Sequence, residues 1–235
     1  MRVRLVHGFT LTPQTWAPVE ARLPPGWDVQ SLEVPDGLDF VATADTLVHR
    51  GGVGTWVGYS MGARLCLRLA LDHPDRVERL VLVSGTAGIP SAAERRTRRS
   101  ADAQLAHEIE RDGAPPFLER WLDQRLFETL PRGSAMLDER IRGNTVPRLV
   151  HQLRALGVGS QEPLWDRLPT LDMPVLLLTG QWDRAYTDLA LQMAKAIGER
   201  ATHVVIEKAG HALQLERPDE AAHALTSWLD DDATA

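Results

Sequence analysis

The sequence predicts an α/β fold: a mostly parallel sheet of about six strands, flanked by helices and interrupted by one helical insertion. Three observations lead there. Short apolar runs alternate with helix-periodic stretches over most of the chain. That alternation stops between residues 89 and 168, where helical patterns follow one another directly. A Gly-x-Ser-x-Gly pentapeptide, Gly58-Tyr59-Ser60-Met61-Gly62, stands where a strand runs into a helix. The 235 residues suffice for one large domain with a substantial core.

The strand candidates, in order, are Arg2–Val6, Val29–Leu32, Thr55–Val57, Val77–Val83, Val175–Thr179 and His203–Glu207. Each is short and rich in β-branched or large apolar residues. Phe40–His49, Met61–Asp72, Asp188–Ile197 and Asp219–Leu229 carry helical spacing between or after them. Within the interruption, Ser91–Arg111, Pro116–Leu126, Ser134–Gly143 and Val146–Leu156 read as consecutive helices, punctuated by Gly113, Pro131-Arg132-Gly133 and Gly157-Val158-Gly159. The expected organisation is a core from 1–88 and 169–235, with 89–168 forming a helical lid over the carboxyl edge of the sheet. In parallel sheets of this kind, reactive groups collect beyond that edge.

Composition narrows the function classes. The formal charge of −6 and pI of about 5.8 give no basic field that would draw nucleic acid. No apolar stretch approaches the ~20 residues that cross a bilayer. Val3–Val6 leads straight into His7-Gly8 with no signal-peptide core, so a cytoplasmic protein is the expectation. Cys66 is the single cysteine, in an apolar helical run that suits core packing. The eight histidines show no metal-ligand spacing.

The pentapeptide carries the chemistry. A turn this sharp leaves room for no side chain two residues before or after Ser60. It would lift the Ser60 hydroxyl above the sheet at a helix N-terminus, where free N–H groups favour developing negative charge. An ordinary turn serine is the plainer alternative. A serine nucleophile needs a base, and the base an orienting acid. Asp183 follows the strand ending at Thr179-Gly180, and His211 follows His203–Glu207 and Ala209-Gly210. The order Ser60, Asp183, His211 is the one found in α/β-hydrolases. Taken singly, Asp183 could be a helix N-cap and His211 a surface histidine. His7-Gly8-Phe9 ends the first strand, and the backbone N–H groups of Phe9 and Met61 are the candidate oxyanion hole.

Arginines supply the second theme. Arg64 lies one helical turn beyond Ser60 and can face the same pocket or solvent. Arg98 shares a helical face with Asp102, Leu105 and Ile109, so it is expected to point into the protein or a cavity. Arg142 could serve the substrate or merely complement a helix end. Guanidinium groups converging above a nucleophile would suit a substrate with several carboxylates. A greasy neutral ester would gain little from them and suffer their desolvation.

Together these residues place the chain among sequences that resemble the α/β-hydrolase superfamily. More narrowly, it is similar to the 2-succinyl-6-hydroxy-2,4-cyclohexadiene-1-carboxylate (SHCHC) synthases of menaquinone biosynthesis. The similar pieces are His7-Gly8-Phe9, Gly58 to Arg64, the run Glu94 to Asp102, Trp121 with Leu126-Phe127, Arg142-Gly143-Asn144 and Pro163 to Leu168. The resemblance implies a lyase in which His211, oriented by Asp183, activates Ser60 to take a proton from a succinyl-bearing cyclohexene carboxylate. Pyruvate is then expelled without an acyl-enzyme. It implies substrate contacts from Tyr59, Arg64, Arg98, Trp121 and Arg142, a small carboxylate-bearing substrate rather than nucleic acid or membrane as partner, and no cofactor or metal. A serine carboxylesterase or thioesterase acting on small esters through an acyl-enzyme is the alternative. The chain departs from the pattern at Glu33-Val34-Pro35-Asp36-Gly37-Leu38, where such enzymes read Asp-x-Pro-Gly-His-Gly. It departs again at Ala185-Tyr186, where they carry Lys-Phe.

Overall fold

A computed structural model describes residues 1–231 and gives six strands in one sheet. They are β1 (Arg2–Val6), β2 (Asp28–Leu32), β3 (Gly54–Tyr59), β4 (Val77–Val83), β5 (Val175–Gly180) and β6 (Ala201–Ile206). Their order is β2-β1-β3-β4-β5-β6, and every neighbouring pair is parallel. The helices are α1 (Ala17–Glu20), α2 (Phe40–Gly51), α3 (Met61–Asp72), α4 (Ala92–Asp112), α5 (Ala114–Leu122), α6 (Leu137–Gly143), α7 (Val146–Leu156), α8 (Arg184–Ile197), α9 (Leu213–Glu216) and α10 (Pro218–Asp231).

Strand alternation builds two cores. Val6, Trp56, Leu80, Leu82, Val175 and Leu177 pack on one face with residues of α2, α3 and α8. Val3, Leu5, Val57, Val81, Leu176 and Leu178 pack on the other with residues of α9 and α10. Central strands covered on both faces have no need of polar alternation, which explains the unbroken apolar run Val175–Leu178. The helices between β4 and β5 make a third, smaller core from Ala106, Ile109, Phe117, Leu118, Leu149 and Leu153.

Several boundaries differ from expectation. Helix α8 begins at Arg184 rather than Asp188, and β6 spans Ala201–Ile206 rather than His203–Glu207. Pro116–Leu126 resolves into α5 and a separate 3-10 turn, Arg125–Phe127. The four-residue helices α1 and α9 have no counterpart in the sequence reading, because a single turn is too short to show a period.

Candidate active site

The turn from β3 to α3 is as tight as its glycines imply. Ser60 has φ 52° and ψ −106°. A Cβ on Gly58 would lie 2.3 Å from the Gly62 carbonyl oxygen, and one on Gly62 would lie 2.2 Å from that of Val6. No side chain fits either position, so both glycines are required by contact.

Two later loops bring their groups to this serine. Ser60 Oγ lies 3.2 Å from His211 Nε2, and His211 Nδ1 lies 2.7 Å from Asp183 Oδ2. Asp183 occupies the N-cap position of α8, yet its side chain caps nothing. The capping alternative is thereby removed: the carboxylate takes the His211 hydrogen bond instead. His211 is 1% exposed, which removes the surface-histidine alternative. Its carbonyl accepts from Ser84 Oγ at 2.9 Å, and the Tyr186 ring lies 4.5 Å from the imidazole. A hydroxyl bonded to an imidazole that is itself bonded to a buried carboxylate is arranged to surrender its proton to the ring.

The Phe9 and Met61 N–H groups have no acceptor among the described residues. Met61 opens α3, where the first N–H groups have no helical partner. Phe9 is followed by Thr10, a β-branched residue at φ 65° that is rarely stable in this region. The strained loop is tied down from α6. Arg140 Nη1 donates to Thr10 Oγ1, and Asn144 Nδ2 donates to the Thr10 carbonyl at 2.9 Å. Positive φ at Thr10, Ser60 and Ser84 places backbone strain beside the same hydroxyl–imidazole pair.

The arginines divide differently from expectation. Arg64 is buried; Nη1 donates to Gln161 Oε1 at 2.9 Å and Nη2 to the Leu156 carbonyl at 2.8 Å. Burial pushes its pKa down to about 10, and it has no carboxylate in salt-bridge contact among the described residues. Arg98 is only part-buried, though its charge acts on both Arg64 and Tyr186. Its side chain is 43% exposed and bridges to Asp102, which is itself buried. The charge on the apolar stripe that goes inside is therefore the shorter aspartate, while the long arginine reaches back over it.

Arg142 is 69% exposed and donates to Glu139, so the structure does not gather it with Arg64. Arg140, which sequence reasoning passed over, takes the interior position instead. It is 1% exposed and bonds only neutral oxygens, those of Ala135 and Thr10. Burial pushes its pKa to about 10 as well, with the Tyr59 hydroxyl nearby. The stripe argument applied to Arg98 would have found it, since Leu137, Arg140 and Asn144 share one helical face. Tyr59 is buried, its ring 5.5 Å from His211, and Trp121 stands edge-on to Phe9 at 5.0 Å. Tyr186, one of the two residues that set Ala185-Tyr186 apart from Lys-Phe, packs on the imidazole. Among the described residues, no group of three or more His, Cys, Asp or Glu could hold a metal ion, and no helix is long and apolar enough to cross a membrane.

Comparison with known proteins agrees with this architecture. Residues 5–224 match the model of the alpha/beta hydrolase family. A Bacillus subtilis (strain 168) protein with the provisional name 2-succinyl-6-hydroxy-2,4-cyclohexadiene-1-carboxylate synthase is 37% identical, over 91% of this chain and 84% of its own. The synthase of that name from Enterobacter sp. (strain 638) is 28% identical, over 95% of this chain and 90% of its own. Among solved structures, MenH from S. aureus superposes with a TM-score of 0.91 at 23% identity, over 99% of this chain and 94% of that one.

Proposed function

The chain belongs to the alpha/beta hydrolase family, and from that premise we propose that it is an SHCHC synthase-like lyase. It would eliminate pyruvate from a polycarboxylate that already carries the product skeleton. Ser60, Asp183 and His211 are the proposed catalytic residues, Phe9 and Met61 the proposed oxyanion donors, and 89–168 the proposed lid. His211 Nε2 takes the Ser60 proton while Asp183 holds the ring, and the Ser60 oxygen removes the substrate proton. As the carbanion expels pyruvate, negative charge on the substrate oxygen is met by the Phe9 and Met61 N–H groups. No bond forms between Ser60 and carbon.

One observation carries this reading over hydrolysis of neutral esters. Arg64 is a buried cation one turn from Ser60, and its hydrogen bonds go only to neutral oxygens. Asp102 is near enough to act on its charge but accepts no hydrogen bond from it. A desolvated cation without a hydrogen-bonded carboxylate is costly, and a carboxylate ligand offsets that cost. Arg140 supports it in the same way. The second reading, an esterase or thioesterase, draws on the hydroxyl–imidazole–carboxylate chain alone, which serves acyl transfer equally well.

The test is incubation with the pyruvate-bearing precursor of SHCHC while pyruvate release is followed, beside a panel of small esters with trapping. Pyruvate release without a trapped acyl-Ser60 is expected. A covalent acyl-Ser60 with rapid ester turnover and no pyruvate would replace the lyase with the esterase.

A further inference from the structure

The Phe9 N–H owes its direction to a chain of side chains that begins on α7. The Gly8 carbonyl and the Phe9 N–H belong to one planar trans peptide, so they point in opposite directions. Whatever fixes the carbonyl therefore aims the N–H. The Gly8 oxygen lies 2.9 Å from His7 Nδ1 and accepts the Leu11 N–H at 3.3 Å. His7 is fully buried, so its ring has no freedom to seek water.

The far side of that ring is held by the loop that follows β2. His7 Nε2 is 3.1 Å from Glu33 Oε1 and 3.2 Å from the Val34 nitrogen. Glu33 in turn accepts from Arg148 Nη2, and Asp36 accepts from Arg148 Nη1 at 3.1 Å. The Arg148 side chain is only 10% exposed, although α7 lies in the helical segment between β4 and β5. One guanidinium thus bridges two carboxylates on the β2 loop, and one of those carboxylates touches the histidine that holds the oxyanion peptide.

We propose that Arg148 and Glu33 are positioning residues that couple the seating of α7 to the aim of the Phe9 N–H, acting through His7. When α7 is docked, Arg148 fixes the Glu33 carboxylate, and a His7 ring carrying both N–H groups donates Nε2–H to Glu33 and Nδ1–H to the Gly8 carbonyl, which pins the Gly8–Phe9 peptide. If α7 lifts, the peptide loses that support, and charge stabilisation is lost with the cover. The proposal rests on the reading of Phe9 as an oxyanion donor.

The experiment follows labelling of Ser60 by an alkyl fluorophosphonate, with mass spectrometry giving the rate. The Ser60 oxygen attacks phosphorus, fluoride leaves, and the phosphoryl oxygen needs the same donors. Wild type, Ser60→Ala, Glu33→Gln, Arg148→Met and Arg148→Lys are compared, with kcat and KM for pyruvate release and thermal midpoints alongside. Loss of one oxyanion donor costs about 10²–10³ in rate, so misaiming it should slow labelling and kcat roughly tenfold in Glu33→Gln and Arg148→Met. KM should stay within about twofold, and Arg148→Lys should recover part of the loss, because the interaction being removed acts in the transition state. Unchanged labelling and kcat in both variants, or losses that merely follow a lowered thermal midpoint, would overturn the coupling while leaving the triad standing. If wild type is not labelled at Ser60 at all, the oxyanion reading and the coupling fall together.

Discussion

Glu216 grips the backbone on both sides of His211. Its Oε2 accepts the Gly210 N–H at 2.8 Å and its Oε1 accepts the Ala212 N–H at 3.1 Å. One carboxylate therefore sets the path of the loop that presents the imidazole. Hydrogen bonds to a charged group are worth about 1.5–3 kcal/mol each, so losing both in Glu216→Ala should destabilise the fold by roughly 3 kcal/mol or more. It should also lower kcat about tenfold through misplacement of the ring. Chemical denaturation and steady-state kinetics would check both, and an unaltered kcat would show that His211 is held by other contacts.

Replacing Ser60 or His211 by alanine should lower turnover by roughly three or more orders of magnitude. The double variant should lose little beyond either single one, because the two act as a unit. Circular dichroism should report an intact fold. Additive losses would contradict a shared proton path.

Arg64→Met should separate binding from stability. A charge-assisted hydrogen bond to a carboxylate is worth about 1.5–3 kcal/mol, so KM for a polycarboxylate should rise roughly ten- to hundredfold. The thermal midpoint should hold or increase, because an apolar side chain of similar length replaces a desolvated cation. A lower midpoint with an unchanged KM would make Arg64 a structural group alone.

Arg140 and Arg142 make opposite predictions although a single residue separates them. Arg142→Ala removes an exposed pair with Glu139 and should change kcat/KM by less than about threefold. Arg140→Met frees the strained Thr10 loop and should lower kcat/KM more than about tenfold. Comparing the two variants on the same substrate would decide which arginine serves the site.

Acid sensitivity should trace in part to Glu33. Burial alone would push its carboxyl upward, but hydrogen bonding and charge from His7, reinforced by Arg148, carry it below its ordinary 4.5. A carboxyl depressed in the folded chain contributes stability that is complete above its unfolded pKa and fades as pH falls through the folded value. Glu33→Gln should therefore lose less stability than wild type between about pH 5 and pH 3. Denaturation curves at several pH values would test this, and equal slopes would refute it.

The elbow was legible because its constraint is local: Gly58 and Gly62 are required by contacts within one turn and its neighbouring strand. The order of Ser60, Asp183 and His211 was legible for a related reason, since each follows a recognisable strand. The arginines were not. The direction a guanidinium takes depends on which helix face meets which loop: the stripe of Leu137, Arg140 and Asn144 marks Arg140 as inward, but nothing near it announces that α6 packs on Thr10. For Arg98, a helical stripe does not say which of two opposite charges on it will be the more deeply buried. Edge strand β6, half-buried and mixed in pattern, slipped by two residues at its start, whereas β4, buried over its last four residues, was read at both ends.

Position 60 also sets a limit on how stable this protein can become. A left-handed backbone at a residue with a Cβ costs about 1–3 kcal/mol, and glycine at that site would recover part of it. Any selection for heat resistance that ignores turnover will therefore favour discarding the hydroxyl. Such variants would emerge as robust, well-folded and inert, so thermostability screens on this chain need an activity gate.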